Sequence, residues 1–264
     1  MNDLVSAIAS NFSKTPSVKH AGGYRTFTKA FIIVMMNDHN STVAARKCLQ
    51  SVKSTKSLIN PFLIDATTPL NLQDHLSDFN LTLNNWTYPI SPAETKKDIK
   101  TGLQLTGYRA TDYTKVVSCL LSHMRLWKLA TEIKETIIIL EHDALFTKHF
   151  NLKNLKDNFT GGIMGLNNPI GATRKAALYD KIIKNRDSIN YDAPWIDDKH
   201  IPQGLAGNSA YLIKPEAAQH LLNKINEIGM WPNDALICKQ LFPWLQQAYP
   251  YYTTVQGTKS STTL

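Results

Sequence analysis

Long apolar runs are missing from this 264-residue chain, in which no eighteen apolar residues stand in a row. A membrane-crossing helix needs about that many, so none is expected. Cysteine is scarce: Cys48, Cys119 and Cys238 are odd in number, widely spaced and without a CxxC pair. This excludes a disulfide framework and a structural zinc site, and it points to a reducing compartment. The opening segment MNDLVSAIASNFSKT has no basic patch followed by an apolar core, so it does not read as a secretory signal. Together these absences predict a cytoplasmic protein. No GxGxxG, no Walker lysine loop and no GxSxG elbow occurs. Dinucleotide-binding, P-loop and ordinary α/β-hydrolase readings thus lose their main support.

The chain is 43% hydrophobic, which gives ample core for one large domain. Residues 1–264 are read as that domain, with a short amphipathic helix at about 3–13 (Leu4, Ile8, Phe12) and a polar, mobile tail at about 257–264. Net charge is +8 and the pI is about 9.3. Such an excess suits a polyanionic partner or contact with an anionic membrane surface, and a plain basic surface is the alternative.

Strands and helices alternate. AFIIVMM (Ala30 to Met36) reads as a strand, Ser41 as the cap of a helix to about Ser54, and Asn60 to Asp65 as a second strand. The spacing then predicts a weak strand in LTLNNWTYP, a long helix over Tyr113 to Lys134 and a strand over Thr136 to Leu140. A buried strand with tight backbone approach is expected in GGIMGL, then a helix over Arg174 to Asn185 and a strand over Asn208 to Ile213. Helices to about Glu227 and over Pro232 to Leu241, and a strand over Tyr249 to Val255, complete an α/β fold with a mostly parallel sheet.

The most informative stretch is IIILEHDALF (Ile137 to Phe146), where a buried strand runs into Glu141-His142-Asp143. Ligands of open α/β sheets bind beyond the carboxyl ends of the strands. Strand alternation predicts that Glu141 and Asp143 project together while His142 points away. Two hard oxygen ligands on one side suit Mg²⁺ or Mn²⁺ and a diphosphate. The alternative is an acidic turn that merely ends a strand.

The surrounding text decides between them. Cys119, Ser122, His123 and Trp127 form a C-x-x-SH-x-x-x-W helix that precedes EHDA. GNSAYLIKPEAAQHLL (Gly207 to Leu222), PNDALI (Pro232 to Ile237) and Gln256-x-x-x-Ser260 follow in order. This set resembles glycosyltransferase family 25, the lipopolysaccharide-type and collagen-type sugar transferases, whose corresponding strand ends in EDDA. The resemblance implies a GT-A-type, Rossmann-like nucleotide-sugar-binding fold. It implies inverting, Mn²⁺- or Mg²⁺-assisted transfer from a nucleotide diphosphate donor, commonly a UDP-sugar. The departure is His142 in place of the middle Asp, which leaves Asp143 and Glu141 as metal ligands. His142 itself stays open between a structural histidine, a donor to the phosphates and a ligand.

Inverting transfer needs a base for the acceptor hydroxyl. Asp234, in the segment that resembles the family's P-x-D, is the first candidate, against an ordinary helix-start role. Asp197 and Asp198 beside Trp195 are the second, since a ring face and carboxylates suit a sugar. Ser122 and His123 would face the donor, with Val34, Met35, Met36, Asn37 and Asp65 at the strand ends holding its nucleoside. Asn208, Trp195, Arg174 and Lys175 are the candidate acceptor contacts.

A saccharide such as a lipopolysaccharide core is the expected acceptor. Two alternatives remain. One is a hydroxymethylated base in DNA, suggested by Arg174, Lys175, Lys181, Lys184 and Arg186 and by Lys14, Lys19, Arg25 and Lys29 near Tyr24 and Phe27. The other is a non-catalytic, basic nucleic-acid-binding module in which the acids are structural.

Overall fold

The computed structural model describes residues 19–20, 23–24, 26–108, 110, 112–155, 157–186, 191–196 and 198–257. The expected N-terminal helix lies outside them, as do Asp197 and all but the first residue of the expected tail. In order the elements are β1 (Lys19–His20), β2 (Gly23–Tyr24), β3 (Thr28–Val34), α1 (His39–Ser54), β4 (Ile59–Asp65), α2 (Leu72–Ser77), β5 (Thr95–Lys97), β6 (Gln104–Thr106) and α3 (Tyr113–Ile133). Then come β7 (Ile137–Glu141), β8 (Ala144–Phe146), β9 (Ile163–Gly165), α4 (Ala176–Asn185), β10 (Ala210–Ile213), α5 (Pro215–Ile228), α6 (Asn233–Leu236), β11 (Gln246–Gln247) and β12 (Thr253–Val255).

The central sheet has the order β11-β9-β10-β7-β3-β4. β4, β3 and β7 pair in parallel, as do β9 and β11. β10 pairs antiparallel with both β7 and β9. One reversed strand therefore stands among five that run the same way, which is the mostly parallel α/β sheet expected.

Period-two alternation divides each central strand between two cores. Phe31, Ile33, Ile137, Ile139, Tyr211 and Ile213 face one way, against α3 and α5. Ala30, Ile32, Ile138, Leu140, Ala210 and Leu212 face the other, against Ala45, Cys48 and Val52 of α1. Both faces are covered, so the strands read as unbroken apolar runs. The glycines of GGIMGL are spent on close approach: a Cβ on Gly162 would lie 2.4 Å from that of Ala217. Among the described residues no helix is long and apolar enough to cross a membrane.

Several boundaries differ from expectation for local reasons. Asp38, not Ser41, caps α1, accepting the Ser41 amide at 2.6 Å. The Ser41 hydroxyl instead accepts the Met35 amide at 2.9 Å and ties the end of β3 to the helix. LTLNNWTYP forms a 3₁₀ turn, Leu83–Asn85, rather than a strand. The helix after Pro232 stops at Leu236, far short of Leu241. The strand expected from Tyr249 begins only at Thr253, and β11 was not foreseen.

Gly229 closes α5 at φ 96° and ψ 178°, a region open to glycine alone. A Cβ there would stand 2.4 Å from Thr87 Cγ2 and 2.8 Å from the Asn85 carbonyl. Gly102 also has positive φ, at 73°, but faces open space. Gly229→Ala is expected to cost about 3 kcal/mol and Gly102→Ala about 1 kcal/mol. Thermal melts that rank the two equally would remove the packing part of this account.

Candidate functional site

β7 brings its last residue, Glu141, to the carboxyl edge of the sheet, and alternation from Ile137 and Ile139 puts it on the α3 side. There it meets a chain of buried polar groups. Trp127 Nε1–H donates to Tyr211 Oη at 2.8 Å. Tyr211 Oη lies 2.9 Å from His123 Nδ1, and His123 Nε2 lies 3.2 Å from Glu141 Oε1. An indole N–H can only donate. The tyrosine oxygen accepts it and turns its own proton to Nδ1, which leaves Nε2–H to donate to the carboxylate. This assignment follows from the network. His123, Trp127 and Tyr211 are all fully buried, whereas the Glu141 side chain is 32% exposed. Burial pushes the Glu141 carboxyl up, but the His123 hydrogen bond and the imidazoles of His123 and His142 outweigh it and hold it below its usual value.

Beyond Glu141 the chain turns instead of continuing as a strand, and it re-enters β8 at Ala144. The expected alternation over 141–143 therefore fails. Asp143 comes close enough to Cys48 of α1 to add to the rise of that thiol, which burial chiefly drives to about 12. His142, expected to point away, lines the same cavity as its neighbours. Gln256 secures the turn: its amide N–H donates to the Asp143 carbonyl at 3.0 Å, and its side chain donates to the carbonyls of Ala44 and His142.

The cavity measures about 760 Å³, within the range of nucleotide-sized sites. Of the sequence candidates, Met35, Ser122, His123, Glu141, His142, Asp143, Asn208 and Asp234 line it. Val34, Met36, Asn37 and Asp65 do not. Val34 is a core residue, and the Asp65 carboxylate accepts the Met36 amide at 3.2 Å, joining the ends of β4 and β3. Ser122 accepts the Thr67 amide at 2.9 Å and donates to the Ser118 carbonyl at 3.0 Å, which fixes the loop after β4 against α3.

Asp198 lies elsewhere, in a groove with Lys96, Lys97 and His200, and accepts the His200 amide at 2.8 Å. Trp195 does not line the main cavity either; the ammonium groups of Lys239 and Lys199 sit 5.0 and 5.9 Å from its ring centre. Lys175 stands at the start of α4, outside the lining. Arg174 and Asn208 line an adjoining cavity.

Sequence reasoning passed over Lys115, Cys119 and Asn233, which also line the main cavity. Positions 115, 119, 122 and 123 recur at helical spacing, so one face of α3 was readable as the wall of a site.

Three lining side chains hold unmet hydrogen-bond capacity. Asp143 Oδ1, Asn208 Nδ2 and Asn233 Nδ2 are buried without a partner. Burial, then repulsion from Glu141, pushes the Asp143 carboxyl up to about 6. Asp234 is exposed to the cavity but walled by protein, and burial followed by Glu141 likewise raises its carboxyl to about 6. Cys119, His123 and Glu141 bring three ligand atoms within 4.8 Å of one another. There the thiol is pushed well up by burial first, and Nε2 is spent on Glu141, so that set suits a soft metal poorly. Glu141 and Asp143 both line the cavity, Asp143 with an orphaned oxygen, and hard oxygen ligands of this kind fit a hard divalent cation.

The family profile described as "Glycosyltransferase family 25 (LPS biosynthesis protein)" matches residues 45–237. No curated protein sequence matches the chain. Similar solved structures include the galactosyltransferase LgtC in complex with donor and acceptor sugar analogs, at 14% identity over 83% of this chain and 73% of that one, with a TM-score of 0.38. Mouse xyloside xylosyltransferase 1 in its apo form is similar at 13% identity over 84% of each chain, with a TM-score of 0.43. The glycosyltransferase GlyE of Streptococcus pneumoniae TIGR4 is similar at 10% identity over 85% of this chain, with a TM-score of 0.37, and the chain spans 45% of its length.

Two outcomes test this geometry. Tyr211→Phe strands the buried Trp127 N–H and leaves Nδ1 without a donor. It is expected to cost about 1–3 kcal/mol, read as a fall in melting temperature of about 2–4 °C per kcal/mol; an unchanged melt refutes the relay. For Asp234, the folded carboxyl keeps its proton to about pH 6 while the unfolded one keeps it only to 3.8. Folding thus takes up a proton in that window, and stability falls as pH rises through it. Asp234→Asn should therefore gain on the wild type at pH 7 and not at pH 4. Equal differences in melting temperature at both pH values contradict the raised carboxyl.

Proposed function

The chain belongs to glycosyltransferase family 25 and is a sugar-transferring enzyme; from that premise we propose that it moves a sugar from a UDP-sugar to a saccharide hydroxyl, with inversion, assisted by Mn²⁺ or Mg²⁺. One observation carries the reading. Glu141, Asp143 and Asp234 line one cavity at the carboxyl edge of the sheet, and Asp143 has an unmet carboxylate oxygen. A divalent cation held by Asp143 and Glu141 would stabilise the leaving diphosphate as a Lewis acid.

The remaining roles fall to the chain's own residues. Met35, Ala66 and Thr67, after β3 and β4, receive the nucleoside. Lys115 offers a cation toward the diphosphate, and His142 donates to it. The relay from Trp127 holds the Glu141 carboxylate in one orientation, which a metal or a diphosphate needs for tight binding. Asp234 takes the proton of the attacking hydroxyl. Its raised pKa suits this work, because a base that titrates near neutrality transfers protons most effectively. The lipopolysaccharide core stays the acceptor that the family's description favours.

Thermal melts with UDP, with and without Mn²⁺, test the donor claim. Wild-type protein is expected to be stabilised by UDP with Mn²⁺, and Asp143→Asn to keep its fold and lose the Mn²⁺-dependent part. Asp234→Asn should keep the shift and lose about 10²–10⁴-fold in transfer rate. Absence of any shift with UDP-, GDP- or CMP-sugars overturns the donor reading.

A further inference from the structure

The main cavity shares a wall with a second one of about 440 Å³. Tyr108, Ala172, Gly207, Asn208 and Asp234 belong to both. We propose that the second cavity is the acceptor site and takes the uncharged end of a saccharide, held through its hydroxyls by Gln203 and Asn208. This rests on the donor reading of the main cavity.

Three observations carry it. The first is position, because a base that serves both substrates must stand between them, and Asp234 does. The second is unmet polarity. Gln203 is 3% exposed, and its Nε2 donates to the Gly204 carbonyl at 3.1 Å, which fixes the amide and leaves Oε1 with no partner. Asn208 is 4% exposed, with Nδ2 unpartnered. One atom accepts and the other donates, and a sugar hydroxyl does both. Both residues line the second cavity, so the two unmet atoms belong to its wall. Two buried amide atoms left unpaired are costly in the empty site, and a polyhydroxyl ligand meets both.

The third observation is charge. The lining holds one cation and one acid, Arg174 and Asp234. A nucleic acid needs a run of cations along its phosphates and an open ring on which to stack a base. Of the two lining rings, Tyr88 offers no such face: it is 6% exposed and packed edge-on against Tyr108 and Trp231, with ring centres 5.9 and 5.8 Å away. The chain's net charge of +8 is not expressed at this opening.

Saturation-transfer NMR with the methyl glycosides of glucose, galactose and N-acetylglucosamine, in the presence of UDP and Mn²⁺, tests the proposal. A single-stranded oligonucleotide bearing hydroxymethylcytosine is the comparison. At least one glycoside is expected to bind, and Gln203→Leu to weaken it about tenfold while the thermal shift with UDP and Mn²⁺ stays, which also shows that the variant is folded. Gln203→Glu, which keeps the shape and an acceptor oxygen, should retain more binding than Gln203→Leu. The proposal is overturned if no glycoside binds protein that gives the UDP shift, or if affinity is the same in Gln203→Leu and Asn208→Leu as in wild type. Binding of the oligonucleotide that is lost in those variants overturns it equally. Loss of the UDP shift in the wild type instead defeats the donor reading.

Discussion

The hydrogen-bonded chain Trp127–Tyr211–His123–Glu141 joins three elements that local sequence alone could not hold in register. α3 supplies two members at an i, i+4 spacing, β10 supplies the tyrosine and β7 the carboxylate. Each buried link costs desolvation, and each is met by the next, so the chain is stable only when complete. Its direction matters more than its energy. An indole that can only donate sets the tyrosine proton, which sets the imidazole tautomer, which aims one N–H at Glu141. The core thereby fixes the orientation of a carboxylate that lines the cavity.

Around that fixed carboxylate the electrostatics are uneven by construction. Glu141 has a hydrogen-bond donor and is held below its ordinary pKa, whereas Asp143 and Asp234 feel Glu141 and burial and are pushed up to about 6. Lys115 is the one lysine or arginine among the residues that line the main cavity. The basicity of the sequence therefore lies elsewhere on the chain and says little about this site. A net charge of +8 suggested a polyanionic partner, but the cavity draws its character from four acids, Asp38 among them, and two imidazoles.

Much of this was legible in the residues. The apolar run into Glu141-His142-Asp143 marked the sheet edge, and the family motif that Ser122 and His123 resemble implied the wall facing it. What failed had physical reasons. Alternation over 141–143 presumes an extended chain, and the turn after Glu141 ends it. A four-residue apolar strand carries no sign of its direction, so the reversal of β10 could not be read. Asp38 and Ser41 are both good caps, and only the Met35 amide waiting for a hydroxyl decides between them. Asp65 looked like a nucleoside ligand because it ends a strand, yet its carboxylate accepts the Met36 amide and lies outside the cavity lining.

Asp198 and Asp234, the second and first candidates for the base, fall in different surroundings. Both are acids near aromatic residues in the chain, and neither spacing nor composition ranks them. Asp198 is drawn into the groove beside β5 and β6, where it accepts the His200 amide. Asp234 lies in a one-turn helix that abuts the backbone of Gly204, where a Cβ would stand 2.8 Å from the Asp234 carbonyl. The segment after Pro232 is thus pressed against the 203–208 loop, and that contact puts a carboxylate on the wall common to two cavities. An acid there, with a raised pKa and an approach from either side, can take a proton from one substrate while the other is held. Asp198, outside the main cavity, has no such access whatever its basicity.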